Sequence, residues 1–223
     1  MTDAERKILS TRVLEPAIIS EAGKKGVLID CISFIDIHYR SAADIRQQLG
    51  NIASGDVFIF TSQHAVQAAF EVLRGLKNTT YCIDGATYNA IKQTELQVAA
   101  TASYASELVV LIDKNPGSRY ILFCGDKRLP TIPDFLHKHK LPMLEVICYE
   151  NIATPQKVEQ HYDGIMFYSP TGVESYFSAN EVKDQTCYCI GTTTANAVKK
   201  YTRENIVTAS RPGIGAMLEK IYG

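Results

Sequence analysis

Short apolar runs recur along the chain, separated by segments whose apolar residues fall at helical spacing. The runs are KILSTR (7–12), VLIDCISFI (27–35), VFIFTS (57–62), TYCID (80–84), VAATAS (98–103), RYILFCG (119–125), MLEVICYENI (143–152), GIMFYS (164–169), CYCIG (187–191) and IVTAS (206–210). Among the intervening segments, HAVQAAFEVLRGL (64–76) and TGVESYFSAN (171–180) carry the helical period most clearly. Strand and helix patterns in alternation predict βα units and a parallel sheet covered on both faces. Two runs, VLIDCISFIDIHY (27–39) and MLEVICYENIATP (143–155), are long for buried strands. Each is expected to leave one sheet and continue as an extended connector.

The chain repeats itself. A shift of 107 positions lays 56–103 on 163–210 without gaps and gives 16 identities in 48 positions. The matches include Asp56 and Asp163, Phe60 and Phe167, Ser62 and Ser169, Tyr81-Cys82-Ile83 and Tyr188-Cys189-Ile190, and Thr101-Ala102-Ser103 and Thr208-Ala209-Ser210. Two copies of one fold unit predict two similar domains. The long runs then mark the crossings: a discontinuous domain 1 (1–35 and 153–223), a domain 2 (41–146), and a two-strand linker (36–40 and 147–152). A hinge of that kind leaves a cleft, a common place for a small-molecule site.

The totals narrow the function. A length of 223 residues suits one large α/β domain or two of about 100 residues each. Hydrophobic residues make up 46% and charged residues 21%, and the net charge is −1. No bulk field draws nucleic acid or an anionic membrane, so any acidic ligand must be met by local donors. No apolar run approaches the roughly 20 residues of a membrane span. The N-terminal MTDAERKILSTR lacks a signal-peptide core, and the expected location is the cytoplasm. Cys31, Cys82, Cys124, Cys148, Cys187 and Cys189 lie mostly in apolar runs, and Cys187 and Cys189 share one strand face. They are expected to be reduced, buried packing residues.

The candidate chemistry sits at the strand-to-helix junctions. FTSQHAV, IDGAT, FYSPTGV and IGTTT each run from a strand directly into a helix. In an open parallel sheet, ligands bind beyond the carboxyl ends of the strands. Helix N-termini there offer unpaired N–H groups to carboxylates or phosphates. This makes Thr61, Ser62, His64, Gly85, Ser169, Thr171, Gly191, Thr192 and Thr193 candidate binding residues, although Ser and Thr at such junctions also serve simply as caps. Ser169, followed by Pro170, reads as an N-cap. Arg12 is placed to reach the cleft or to form a surface ion pair. Lys127 and Arg128 offer cationic reach or belong to a solvated loop. Tyr149, in the return crossing, points to the cleft or packs in the sheet. Gly191-Thr-Thr-Thr194 presents three hydroxyls where Asp84-Gly-Ala-Thr87 presents one and a carboxylate. The stronger carboxylate-binding edge is therefore expected on the discontinuous domain, beside Ser169 and Tyr149. No metal-ligand spacing, dinucleotide fingerprint, P-loop or nucleophile elbow is present.

Taken in order, TR (11–12), FTSQHAV (60–66), YCIDGAT (81–87), CGDKR (124–128), ICYENI (147–152), FYSPTGVESYF (167–177), IGTTTANAV (190–198) and TASRPGIGAML (208–218) resemble the uroporphyrinogen-III synthase family over nearly the full length. The resemblance implies two flavodoxin/Rossmann-like α/β domains joined by a two-strand ladder, the first discontinuous. It implies a lyase that needs no cofactor and no metal. Such an enzyme expels the terminal hydroxyl of hydroxymethylbilane, inverts ring D and closes the macrocycle to uroporphyrinogen III. The family's tyrosine candidate for the acid matches Tyr149, and its cleft serine and threonine match Ser169 and Thr193. A monomer acting on a linear tetrapyrrole is expected, with no nucleic-acid or membrane partner. The competing expectation is a non-catalytic two-lobed binding protein for a polycarboxylate or phosphorylated ligand.

Overall fold

The structure is a computed structural model that describes residues 6–114, 119–203, 205–211 and 213–223. The first five residues of the charged N-terminal stretch lie outside them. The chain divides into two compact units, Met1–Asp36 with Ile152–Gly223, and Ile37–Asn151. Residues 37–40 and 147–151, read from the sequence as connector, fall in the second unit.

The first unit holds β1 (Arg6–Ser10), α1 (Pro16–Gly23) and β2 (Val27–Cys31) from the N-terminal segment. The run 27–39 is not one continuous strand. It breaks after Cys31, where Phe34 is fully buried and the Ser33 hydroxyl donates to the Ile35 carbonyl, and resumes as β3 (Ile35–Tyr39). The second unit continues from β3 with α2 (Ala42–Leu49), β4 (Asp56–Phe60), α3 (Gln63–Ala69), β5 (Thr79–Ile83), α4 (Ala86–Ile91), β6 (Gln97–Ala102), α5 (Ala105–Lys114), β7 (Arg119–Gly125), α6 (Thr131–Lys138) and β8 (Met143–Ala153). The first unit is then completed by β9 (Gly164–Phe167), α7 (Pro170–Phe177), β10 (Thr186–Cys189), α8 (Thr192–Val198), β11 (Ile206–Thr208) and α9 (Ile214–Tyr222).

The sheet of the first unit runs β11-β10-β9-β1-β2, with neighbouring strands parallel. The sheet of the second runs β3-β8-β7-β4-β5-β6, parallel from β8 to β6. The 107-residue shift carries β4-α3-β5-α4-β6 onto β9-α7-β10-α8-β11, and each set forms the same side of its sheet. The other side is β1-β2 in one unit and β7-β8 in the other. Helix α3 is shorter than its apolar pattern predicts. After Ala69 the backbone tightens into turns, Phe70 N–H donating to Gln67 and Val72 N–H to Ala69, and Gly75 adopts a positive φ of 74°.

Each sheet is buried on both faces, as parallel sheets require. In the second unit, Phe58, Phe60, Ile121, Phe123 and Val146 pack with α3 residues Ala65, Val66 and Ala69. Val57, Ile59, Tyr120 and Leu122 pack on the opposite face with Leu108, Ile112 and Leu136 of α5 and α6. In the first unit, Leu9, Ile165, Phe167, Cys187 and Cys189 lie under α7 and α8, while Ile8, Ile29, Met166 and Tyr188 lie under α1 and α9. All six cysteines are free thiols, and only Cys31 is not fully buried. Burial pushes Cys124, Cys148, Cys187 and Cys189 up to about 12, so they remain protonated packing residues.

Candidate functional site

The best-built constellation lies at the carboxyl ends of β4, β7 and β8 in the second unit. Strand β8 pairs regularly with β7 as far as Cys124 opposite Ile147, and Gly125 then stands opposite Tyr149, so Cys148 is an extra residue. Such a bulge turns the following side chain over. Leu144, Val146 and Cys148 face the α3 side of the sheet, and Met143 and Ile147 face the α5–α6 side. Strict alternation would send Tyr149 to the α5–α6 side. The bulge instead packs it on the α3 side.

There its hydroxyl donates to Ser62 Oγ at 3.0 Å. Ser62 caps α3, accepting also from the His64 N–H at 3.2 Å. The His64 ring lies against the Tyr149 ring, with centroids 5.5 Å apart. On its other side, His64 Nδ1 meets the Tyr39 hydroxyl at 2.7 Å. That hydroxyl donates its only proton to Gln67 Oε1 at 2.9 Å, so the imidazole Nδ1 is the donor in the His64 bond. Thr61 precedes this cap and is half-buried.

Strand β8 is also tied where Tyr149 leaves it. The Asp126 N–H donates to the Tyr149 carbonyl at 3.1 Å, and Asp126 Oδ1 accepts from the Asn151 N–H and side-chain amide at 2.9 and 3.0 Å. Burial works against the Asp126 charge, but these bonds and the neighbouring Lys127 hold it below the usual carboxylate range. Desolvation raises the Tyr149 phenol above the usual tyrosine value, with the Ser62 bond partly opposing. At neutral pH the phenol is a neutral donor, never a base.

The second junction of this unit is poorer in donors. Gly85 caps α4 with a positive φ of 76°, and its N–H donates to Asp84 Oδ1 at 2.7 Å. The chain thus supplies its own carboxylate at the position an anion would take. Arg128, a sequence candidate for cationic reach, is committed to Glu145 through bonds of 2.5 and 2.6 Å.

In the first unit, Ser169 is the N-cap of α7, accepting from Gly172 N–H at 3.1 Å, with Pro170 at the first helical position. Thr171 is half-buried behind it. Gly191 caps α8 in extended conformation with no side-chain bond, which leaves Thr192 and Thr193 exposed on the first turn, while Thr194 is buried. Thr11 is structural, its hydroxyl donating to the Met166 carbonyl at 2.7 Å. Arg12 is exposed, and its guanidinium lies 4.3 Å from the centroid of Tyr168. Ser10 donates to the Arg12 carbonyl at 2.6 Å and so accepts from Tyr168 at 2.9 Å. Burial pushes the Tyr168 phenol up to about 12, with the Ser10 bond and Arg12 opposing.

The sequence puts Tyr149 in the return crossing, beside the Ser169 edge. In the structure Tyr149 falls in the second unit, and its hydroxyl's partner is Ser62. Tyr39, Gln67, Gly125, Asp126, Asn151 and Tyr168 were missed. Gly125 left one signal, a glycine closing an otherwise apolar strand, which often marks a close approach. Among the described residues, no group of three or more His, Cys, Asp or Glu is arranged to hold a metal ion.

The family model described as uroporphyrinogen-III synthase HemD matches residues 17–219. Among solved structures, a substituted uroporphyrinogen III synthase of Thermus thermophilus superposes with a TM-score of 0.67 at 18% identity, covering 97% of each chain. The uroporphyrinogen-III synthetase of Helicobacter pylori superposes with a TM-score of 0.67 at 16% identity, covering 97% of this chain and 98% of its own. At these identities the superpositions speak for the fold. No curated protein sequence matches significantly.

Proposed function

The chain belongs to the uroporphyrinogen-III synthase family, lyase-type enzymes of haem biosynthesis that act on hydroxymethylbilane, and on that premise we propose which of its residues carry the reaction. Nothing favours the non-catalytic binding protein. We read the two units as the two domains, the chain passing between them at 36–40 and 147–152.

In this reading Tyr149 donates a hydrogen bond to the terminal hydroxyl of the bilane. The C–O bond breaks, and the oxygen leaves as water with a proton from the medium. The pyrrole nitrogen supplies the electron pair, so the acid need not be strong. The resulting cation is attacked through the substituted carbon of ring D. The bond from that carbon to its original methylene bridge then breaks, and the released bridge cation is captured by the free α-carbon of the same ring. Proton loss from that carbon completes the inverted macrocycle. When the phenol donates to the substrate its single proton leaves the Ser62 bond. The Ser62 hydroxyl then turns to donate to the phenol oxygen, so that Ser62 and the His64 ring still hold the phenol in place. Ser169, Thr171, Gly191, Thr192 and Thr193, with Arg12, meet the carboxylates in the first unit, and Thr61 contributes from the second, where Asp84 already occupies the Gly85 N–H. Holding ring D for this attack faster than spontaneous closure is the larger task, and many weak donors suit it. The protein acts as a monomer in the cytoplasm, without nucleic-acid or membrane partners. Among the described residues no helix is long and apolar enough to cross a membrane.

One observation carries the assignment of Tyr149. A strand bulge turns this phenol to the capped start of α3, at the carboxyl edge of a parallel sheet. The test supplies enzymatically made hydroxymethylbilane and separates the product isomers. The type III isomer is expected to dominate. A product no richer in type III than the spontaneous background would overturn the reading.

A further inference from the structure

We propose that Gly125 is the positioning residue that sets where the Tyr149 phenol lies. This rests on Tyr149 acting in the reaction as proposed above.

Gly125 is buried at the carboxyl end of β7. Its backbone does not adopt the positive φ that would demand glycine, unlike that of Gly26, Gly50, Gly75, Gly85 or Gly213. The demand comes from the neighbouring side chain. A Cβ built on Gly125 would stand 2.5 Å from Tyr149 Cζ, 2.6 Å from Cε2 and 3.0 Å from the hydroxyl oxygen. Carbon atoms in contact sit about 3.5–4.0 Å apart, so a single methyl overlaps the ring by about 1 Å.

The three nearest atoms all belong to the Tyr149 side chain, and none is backbone. Relief therefore comes from swinging the phenol, not from moving the sheet. The bulge and the glycine act together: the bulge selects the face on which Tyr149 lies, and the missing Cβ lets the ring lie flat against β7 within reach of Ser62. In the first unit the equivalent pairing of β1 with β2 is regular over all its partners, Arg6 opposite Val27 through Ser10 opposite Cys31. A Cβ on Gly164 of the first unit would also meet a tyrosine ring, Tyr188 Cε2 at 2.7 Å, but at the amino end of β9 and with no bulge in the β1–β2 pairing. The combination of bulge and glycine at a strand's carboxyl end therefore belongs to the second unit.

The test is a double-mutant cycle of Gly125→Ala and Tyr149→Phe, read as the rate of type III formation and as thermal stability. Gly125→Ala is expected to remain folded and to lose about as much rate as Tyr149→Phe, roughly tenfold or more, because a displacement of about 1 Å is enough to cost that. In the Tyr149→Phe background it is expected to add less than about twofold, as two changes acting through one group do not multiply. A folded Gly125→Ala at the wild-type rate overturns the proposal, and so do independent, multiplying losses. If Gly125→Ala fails to fold, adding Tyr149→Ala is expected to restore folding, and failure to do so also overturns it.

A readout without turnover separates this proposal from the reading it rests on. With 13Cζ-labelled tyrosine, Gly125→Ala is expected to shift the Tyr149 resonance and move its titration towards the ordinary tyrosine value. An unchanged resonance and titration refute the geometry, whatever isomer the wild-type protein makes.

Discussion

Replacing Tyr149 by Phe removes one oxygen and leaves the ring. In the native structure that oxygen donates to Ser62 Oγ at 3.0 Å. Ser62 keeps its bond from the His64 N–H, so no buried acceptor is orphaned and the ring keeps its apolar contacts. The stability cost is that of one neutral hydrogen bond, about 1 kcal/mol. The rate is expected to suffer more. A phenol raised above its usual range by desolvation transfers a proton poorly but donates a strong hydrogen bond to a departing hydroxyl. Such a bond to developing charge is worth roughly 1.5–3 kcal/mol, or about 10- to 100-fold in rate. The assay is rapid-quench formation of the type III isomer from hydroxymethylbilane across pH. The Tyr149-dependent part should persist to above about pH 10, since the folded phenol titrates higher than a free one, and Tyr149→Phe should lack that alkaline limb. A folded variant with the wild-type rate removes Tyr149 from the chemistry.

Other predictions concern the scaffold and the second candidate edge. Asp56, 4% exposed, is held below the usual carboxylate range first by its bidentate bond to Arg119 at 3.0 and 2.5 Å. Asp56→Asn is expected to destabilise the second unit by about 2–3 kcal/mol, Arg119 being one-third exposed; hydrogen exchange should rise in β4 and β7 but not in β9 and β10. Because the Asp56 pKa is depressed, its contribution is complete above about pH 4 and fades as pH falls through the lower folded value, so acid unfolding of Asp56→Asn should show a shallower dependence than wild type. The double change Thr192→Val with Thr193→Val touches exposed side chains; it should leave the melting temperature nearly unchanged and raise KM several-fold, and an unchanged KM removes these hydroxyls from substrate binding. Under native conditions a maleimide should label Cys31 alone among the six thiols, by mass spectrometry, since the other five are buried.

The repeat was legible because its identities fall where elements begin and end. Asp56 stands at the start of β4 and Asp163 just before the matching β9, Ser62 and Ser169 cap matching helices, and Tyr81-Cys82-Ile83 and Tyr188-Cys189-Ile190 fall at the ends of matching strands. The break at Ile32–Phe34 was not legible, because its apolar residues suit a strand and a local hydroxyl bond decides the matter. Tyr149 shows the sharper limit. A period of two assigns each residue a face, and one extra residue reverses every assignment after it. Nothing in ICYEN announces that Cys148 is the extra one. His64 was a binding candidate from its place at the start of a helix, but its partner Tyr39 comes from a strand 25 residues earlier, a pairing only the folded sheet brings about.

The discontinuity of the first unit also dictates an order of assembly. Strand β1 pairs with β9, Ser10 opposite Met166, so the middle of that sheet cannot close until the intervening chain has been made. During synthesis residues 37–151 emerge as one uninterrupted stretch that carries the whole core of the second unit, and they can fold while residues 6–36 hold only the β1-α1-β2 fragment. That fragment exposes the β1 edge, with Ile8 and Leu9 uncovered, until β9 arrives. An unpaired parallel strand of this kind is prone to aggregation. A nascent chain stalled once residue 151 has emerged, but before β9 is complete at Phe167, should therefore carry a protease-resistant second unit on an N-terminal segment that is still open to cleavage and to chaperones.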